Sequence, residues 1–139
     1  MQTTFSIIKP DAVSTGKAGK ILSVLEANGF RVAAIRMVKL SQSQAEGFYA
    51  VHRERPFFGS LVKFMTEGPI IAMALEREDA IAKLREIMGA TNPANAAEGS
   101  IRKRFAESIE RNCIHGSDGP DTAAVELAYF FSTLDLAGN

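Results

Sequence analysis

Gly68-Pro69-Ile70-Ile71-Ala72-Met73-Ala74-Leu75 contains the longest apolar run in the chain. Behind its Gly-Pro stop, the unbroken stretch 70–75 has the pattern of a strand covered on both faces, and it is far too short to span a bilayer. Downstream, Ile81, Leu84, Ile87 and Met88 mark one face of a helix. Upstream, a turn at Arg55-Pro56 starts a short helix carrying Phe57, Phe58, Leu61, Val62 and Met65. Ser41 with Gln44 resembles a capping box and opens a helix running through Phe48, Tyr49 and His52.

Further out, residues 3–8 are β-branched and aromatic enough for a strand, stopped by Lys9-Pro10-Asp11. Pro10 has no amide donor and restricts Lys9 to extended geometry, which holds Lys9 at a strand end. Ile21, Val24 and Leu25 recur at helical spacing. Asn28-Gly29 supplies a left-handed stop before a second strand over 30–40. After Gly89, residues 90–99 have no period and read as a long ordered loop. Ser100 caps a short turn holding Arg102, 112–114 is a brief strand, and Gly116-Ser117-Asp118-Gly119-Pro120 leads into a final helix striped with Ala124, Leu127, Ala128 and Phe131. The order of elements gives an α+β sandwich with one sheet and helices covering a face, for which a split βαββαβ arrangement is the natural candidate.

With 139 residues and no repeat, low-complexity tract or linker, the chain is expected to form one domain, 1–139. Sixteen basic residues balance sixteen acidic ones, so no net charge draws the chain to polyanions. Cys113 stands alone, which excludes an intramolecular disulfide. No secretory pattern opens the sequence, and a cytoplasmic location without membrane attachment is expected.

Chemistry is sought in polar residues that the apolar pattern does not need. His115 lies in Asn112-Cys113-Ile114-His115-Gly116-Ser117-Asp118. A neutral imidazole is nucleophilic near pH 7, and a phosphorylated imidazole keeps the transfer potential of an anhydride. An isolated histidine is more often structural. Glu126, eleven positions on in the following helix, can reach back to one ring nitrogen, fix the tautomer and leave the other free. Ser117 and Asp118 are placed either to hydrogen-bond that carboxylate or to cap the helix. His52 closes a helix and is assigned structure.

A triphosphate needs several cations, and no GxxxxGK[ST] or GxGxxG loop is present to cradle one. Lys9, Arg85 and Arg102 could converge above one sheet end, although each taken singly suits an ordinary solvated or paired role. Thr91 and Asn112 offer a hydroxyl and an amide, or simply turn and strand-end chemistry. Of Phe57 and Phe58, one ring suffices for the helix's apolar face, and the other is either free to stack on a base or also core.

Four segments together resemble the nucleoside diphosphate kinase family, bacterial type, in order and spacing over nearly the whole chain. They are Ser6-Ile7-Ile8-Lys9-Pro10-Asp11-Ala12-Val13, Arg55-Pro56-Phe57-Phe58-Gly59, Gly89-Ala90-Thr91-Asn92-Pro93-Ala94-Asn95-Ala96 and the segment around His115. The resemblance implies a ferredoxin-like βαββαβ sandwich, a four-stranded antiparallel sheet with helices on its surface. It also implies ping-pong transfer of the γ-phosphate from a nucleoside triphosphate to a diphosphate through Nδ1 of His115. Mg²⁺ would be carried by the nucleotide phosphates, with no metal ligands on the protein.

By the same resemblance, Lys9 and Asn112 match ligands of the ribose hydroxyls and nearby phosphate, with Tyr49 supporting Lys9. Phe57 matches the stacking ring; Arg85, Thr91 and Arg102 fall on phosphate-binding positions; Glu126 and Ser117 match the pair that orients the histidine. The family forms tetramers or hexamers, so a homo-oligomer is implied. Departures are Glu98 and Ser100 in the loop used for subunit contacts, Arg104 where an acidic residue is common, Arg77 where glycine is common, and a short tail after Phe131. Two other functions are weighed: a ferredoxin-like nucleic-acid module, for which the paired aromatic strand motif and basic charge are missing, and a nucleotide sensor without turnover, against which His115 stands.

Overall fold

The computed structural model describes residues 1–137, so the last two positions of the expected 1–139 domain lie outside the described residues. Strand β1 (Gln2–Ile8) is followed by α1 (Pro10–Ser14) and α2 (Ala18–Ala27), then β2 (Arg31–Val38), α3 (Gln42–Phe48), α4 (Phe58–Met65) and β3 (Ile70–Arg77). Next come α5 (Ala80–Met88), α6 (Ile101–Phe105), β4 (Ile114–Gly116), α7 (Pro120–Phe130) and α8 (Thr133–Leu136). Single 3₁₀ turns occupy Ala50–His52 and Pro93–Asn95. The strands form a four-stranded sheet in the order β2-β3-β1-β4, every neighbouring pair antiparallel. This is the ferredoxin-like βαββαβ arrangement, with α3 and α4 inserted between β2 and β3.

Alternation along the central strands sends side chains to both faces, and both are covered. Phe5, Ile7, Ala72 and Ala74 pack with Ala45, Tyr49, Val62, Met65, Leu127 and Phe130, beneath α3, α4 and α7. Ile8, Met73 and Leu75 pack with Ile21, Leu25, Ala80, Leu84 and Met88, beneath α2 and α5. Helices therefore lie on two faces rather than the one the element order suggested, and this is why 70–75 has no polar residue. It also removes the open sheet face that a nucleic-acid module of the RNA-recognition type would use.

Local signals set the ends. Ser41 Oγ accepts from Gln44 N while Gln44 returns its side-chain oxygen to Ser41 N, a capping box that contributes about 1 kcal/mol. Gly29, at φ +84°, ends α2. Arg77 donates to the Asn28 carbonyl and lies 5.5 Å over the Phe30 ring, so this departure covers the end of α2.

Five readings shift. The helix opened at Ser41 ends at Phe48, with Tyr49 as its cap and His52 in the separate 3₁₀ turn, and does not run on through His52. Pro10 stops β1 but also begins α1, since a proline at the first helical position gives up only an amide that would be unpaired. β4 begins at Ile114 and not at 112, because Asn112 and Cys113 are bent out of the ladder. The buried stripe of α7 is Ala123, Leu127 and Phe130, with Ala124 and Ala128 exposed and Phe131 beyond the helix end. α7 is not the last helix, because Ser132 caps α8 by accepting from Asp135 N.

Gly116 sits where β4 passes under α5, and a Cβ there would lie 2.7 Å from Met88 Sδ and 2.9 Å from Leu84 Cδ2. Gly116→Ala is expected to lower unfolding stability by about 1–3 kcal/mol through overpacking. Urea denaturation checks this, and an unchanged midpoint would contradict the close packing of β4 on α5.

Candidate active site

β4 pairs with the end of β1, Ile7 opposite His115 and Ser6 opposite Gly116. Strand alternation turns Ile114 into the α2/α5 core and His115 to the other face, where its ring lies 6.1 Å from Phe5 and 6.0 Å from Phe48, both edge-on. Glu126 reaches it from α7: Nε2 and Glu126 Oε1 are 2.8 Å apart. The same Oε1 accepts from Ser117 Oγ at 2.7 Å. Ser117 is fixed in turn by its amide, which donates to the Phe5 carbonyl at 3.1 Å. With Nε2–H donating to the carboxylate, Nδ1 carries the lone pair, and no described residue hydrogen-bonds it. His115 and Glu126 keep 22% and 19% side-chain exposure, so the pair is partly shielded yet reachable.

Both expected arginines meet this strand. Arg85 donates to the Gly116 carbonyl at 3.3 Å; Arg102 donates to the Ile114 carbonyl at 2.7 Å and to the Gly89 carbonyl at 3.1 Å. They thus hold the carbonyls on either side of His115. Arg102 is buried and its Nε has no partner. Burial, and the charge of Arg85, lower the proton affinity of its guanidinium, with Cys113 opposing.

Lys9, also buried, donates from Nζ to Asn112 Oδ1 at 2.8 Å. Desolvation chiefly, then the nearby Arg102, lower its pKa to about 8. Two buried cations side by side form a region poised for an anion.

Tyr49 does not bond Lys9. Its buried hydroxyl has no partner, and burial first, then the Glu126 charge, raise its pKa. Its ring stacks 6.4 Å from His52, whose ring lies 5.5 Å from Phe57. Phe57 is 47% exposed, whereas Phe58 packs on the core, so the two rings divide as one core and one free. Thr91 is exposed in the loop after α5. Asp118 accepts from Thr122 Oγ1 at 2.7 Å and so takes the helix-start role, not the Glu126 one.

Three residues escaped the sequence reading. Asp11 and Cys113 are buried beside Lys9, where Cys113 N donates to Asp11 Oδ2 at 3.1 Å. Ser6, inside an apolar strand, donates to the His115 carbonyl at 2.6 Å. Only the interruption of β1 by a serine could have pointed to that last contact. Of the departures, Ser100 caps α6 by accepting from Lys103 N at 3.3 Å, Arg104 lies 4.8 Å over the Phe105 ring, and Glu98 is exposed.

A family model described as nucleoside diphosphate kinase matches residues 2–136. The nucleoside diphosphate kinase of Nitrosospira multiformis is 60% identical over 136 residues, 98% of this chain and 96% of that protein. That of Nitratidesulfovibrio vulgaris is 56% identical over 138 residues, 99% of each chain. Among solved structures, the Aquifex aeolicus nucleoside diphosphate kinase superposes with a TM-score of 0.94 at 44% identity, covering 96% of this chain and 97% of that one. The Halobacterium salinarum nucleoside diphosphate kinase in complex with CDP gives 0.92 at 38% identity, covering 96% and 90%.

The Lys9 ammonium has a folded pKa of about 8 against an ordinary 10.5, so the folded chain sheds this proton first and the unfolded chain binds more protons in between. The Lys9 contribution to stability is therefore unfavourable below about 8 and is relieved as pH rises to 10.5. The stability of the parent relative to Lys9→Met should rise across that window in denaturant titrations. A flat difference would mean that Lys9 is not desolvated. Cys113, fully buried with its thiol pushed up to about 12 by burial, should resist iodoacetamide at pH 8 until urea unfolds the chain.

Proposed function

Because the chain belongs to the nucleoside diphosphate kinase family, we propose that its exchange of terminal phosphates between nucleotides runs through Nδ1 of His115. The observation that carries this is the single carboxylate oxygen of Glu126 meeting both Nε2 and Ser117 while Nδ1 stays open. In the first half-reaction the Nδ1 lone pair forms a bond to the γ-phosphorus, and the bond from that phosphorus to the β-γ bridging oxygen breaks, its electron pair leaving with the diphosphate. In the second, a terminal oxygen of another diphosphate attacks the phosphorus, and the N–P bond returns its electrons to the ring. The Nε2 proton stays in place throughout. The ring is cationic while phosphorylated, and the Glu126 carboxylate offsets that charge.

Arg85 and Arg102 would exchange carbonyl partners for phosphate oxygens, with Lys9, Asn112 and Thr91 completing the polar contacts to phosphate and ribose. The unpartnered Tyr49 hydroxyl would join this set on the polyphosphate side. Phe57 offers its free face to a base of any kind. Positioning and charge neutralisation then supply most of the acceleration, as phosphoryl transfer requires.

Arg85 and Arg102 hold the carbonyls on either side of His115, and the described residues hold no group of three or more His, Cys, Asp or Glu that could take a metal. Such a donor set fits phosphate oxygens, so Mg²⁺ would come as part of the nucleotide complex, neutralising phosphate charge. A homo-oligomer, tetramer or hexamer, is part of the same reading: the edge strand β2 exposes Ile35 and Met37, the kind of edge that a partner covers. A cytoplasmic location is likewise proposed; no helix among the described residues is long and apolar enough to cross a membrane.

Incubation with γ-labelled ATP and Mg²⁺ should give an acid-labile, alkali-stable protein label that GDP discharges as GTP. His115→Gln should take no label, and its persistence in that variant would refute the assignment. Glu126→Ala should keep Nδ1 but slow labelling by on the order of tenfold to a hundredfold, having lost the group that orients the ring and offsets its charge.

A further inference from the structure

The backbone just ahead of His115 takes a form that its residues do not favour. Cys113 has φ +65°, and Ile114 N donates to the Asn112 carbonyl at 2.8 Å, closing a three-residue turn around it. Turns of this kind with a positive central φ are rare, and a non-glycine residue held there costs about 1–3 kcal/mol unless its surroundings enforce it.

The enforcement comes from the end of β1. Lys9 N donates to the Cys113 carbonyl at 2.9 Å, and Asp11 Oδ2 accepts from Cys113 N at 3.1 Å. Both backbone polar atoms of Cys113 are thereby taken by one short segment, Lys9-Pro10-Asp11. Asp11 is only 2% exposed, its Oδ1 has no partner, and burial raises its pKa. A carboxyl desolvated with one oxygen unsatisfied is an expensive way to cap one amide, and a neutral acceptor would cap it with less desolvation.

What the turn controls is position. It aims Asn112 Oδ1 at Lys9 Nζ, and it starts β4 at Ile114, so that Ile114 faces the α2/α5 core and His115 faces Glu126. A slip of one residue would exchange those faces.

We propose that Asp11 is a positioning residue for phosphoryl transfer, its carboxylate holding the turn at Cys113 that sets His115 against Glu126 and Asn112 against Lys9. This rests on the reading of His115 as the phosphate carrier. Asp11 itself touches no reacting atom.

The test measures the rate of His115 labelling per folded molecule, using Mg²⁺ and γ-labelled ATP, in the full chain. Asp11→Ala should slow labelling by on the order of tenfold to a hundredfold, the scale of a displaced nucleophile. Asp11→Asn, which keeps an oxygen for Cys113 N, should stay within about threefold of the parent. Adding Cys113→Gly to Asp11→Ala should restore most of the rate, because glycine enters positive φ without enforcement. A merely structural loss would not be rescued at that one dihedral.

A folded Asp11→Ala protein labelling within about twofold of the parent overturns the proposal, a difference too small for a displaced nucleophile. A slow variant that glycine at 113 leaves slow also overturns it. If Asp11→Ala does not fold, the double variant decides: folding and labelling support the proposal, and an unfolded or inert double variant overturns it. Absence of label on the parent chain brings down the phosphohistidine reading and this one together, whereas equal rates in parent and Asp11→Ala remove only the role of Asp11.

Discussion

Strands β1 and β3 are covered by helices above and below, and this constraint organises everything else. A charged side chain midway along such a strand would be stripped of water on either face, at a cost of several kcal/mol. The polar side chains of the candidate site therefore lie where strands stop or are short. Lys9 follows β1, Ser117 follows β4, and His115 sits within a strand only three residues long. The sheet's antiparallel order, with β4 beside β1, then makes those ends neighbours.

Much of this was legible in the residues. The run 70–75 declared a doubly covered strand, and a serine three residues ahead of a glutamine declared the start of α3. The link from His115 to Glu126 was readable because a proline opens the helix between them and fixes how far back a side chain can reach. What escaped was decided by contacts distant in sequence. Cys113 has strand-like neighbours, yet Asp11, 102 positions earlier, holds its amide out of the ladder and moves the start of β4 by two residues. Along α7, Ala123 and Ala124 are chemically identical, so only the packing of Leu127 and Phe130 shows which one faces inward. The resemblance has Tyr49 supporting Lys9; the Lys9 ammonium bonds Asn112, and the buried Tyr49 hydroxyl has no hydrogen-bond partner among the described residues.

The two arginines beside His115 are held in place by the strand that carries it. Each holds a backbone carbonyl of β4, which fixes the orientation of its guanidinium plane. Arg102 also bonds the carbonyl at the end of α5, tying the loop after that helix to β4. On the proposed reading, orientation obtained in this way would lower the entropy lost when phosphate oxygens replace the carbonyls.

Burial first, then Arg102, weakens the hold of Lys9 on its proton against Asp11 and Cys113, and burial with the charge of Arg85 does the same to Arg102 against Cys113. Like charges kept together under a protein surface cost folding stability. Any polyanion that seats between them relieves this repulsion, and by mass action its concentration raises resistance to unfolding. On the proposed reading of the site, the lifetime of the chain would be coupled to the nucleotide pool, phosphorylated nucleotides shielding from proteolysis the protein that exchanges them.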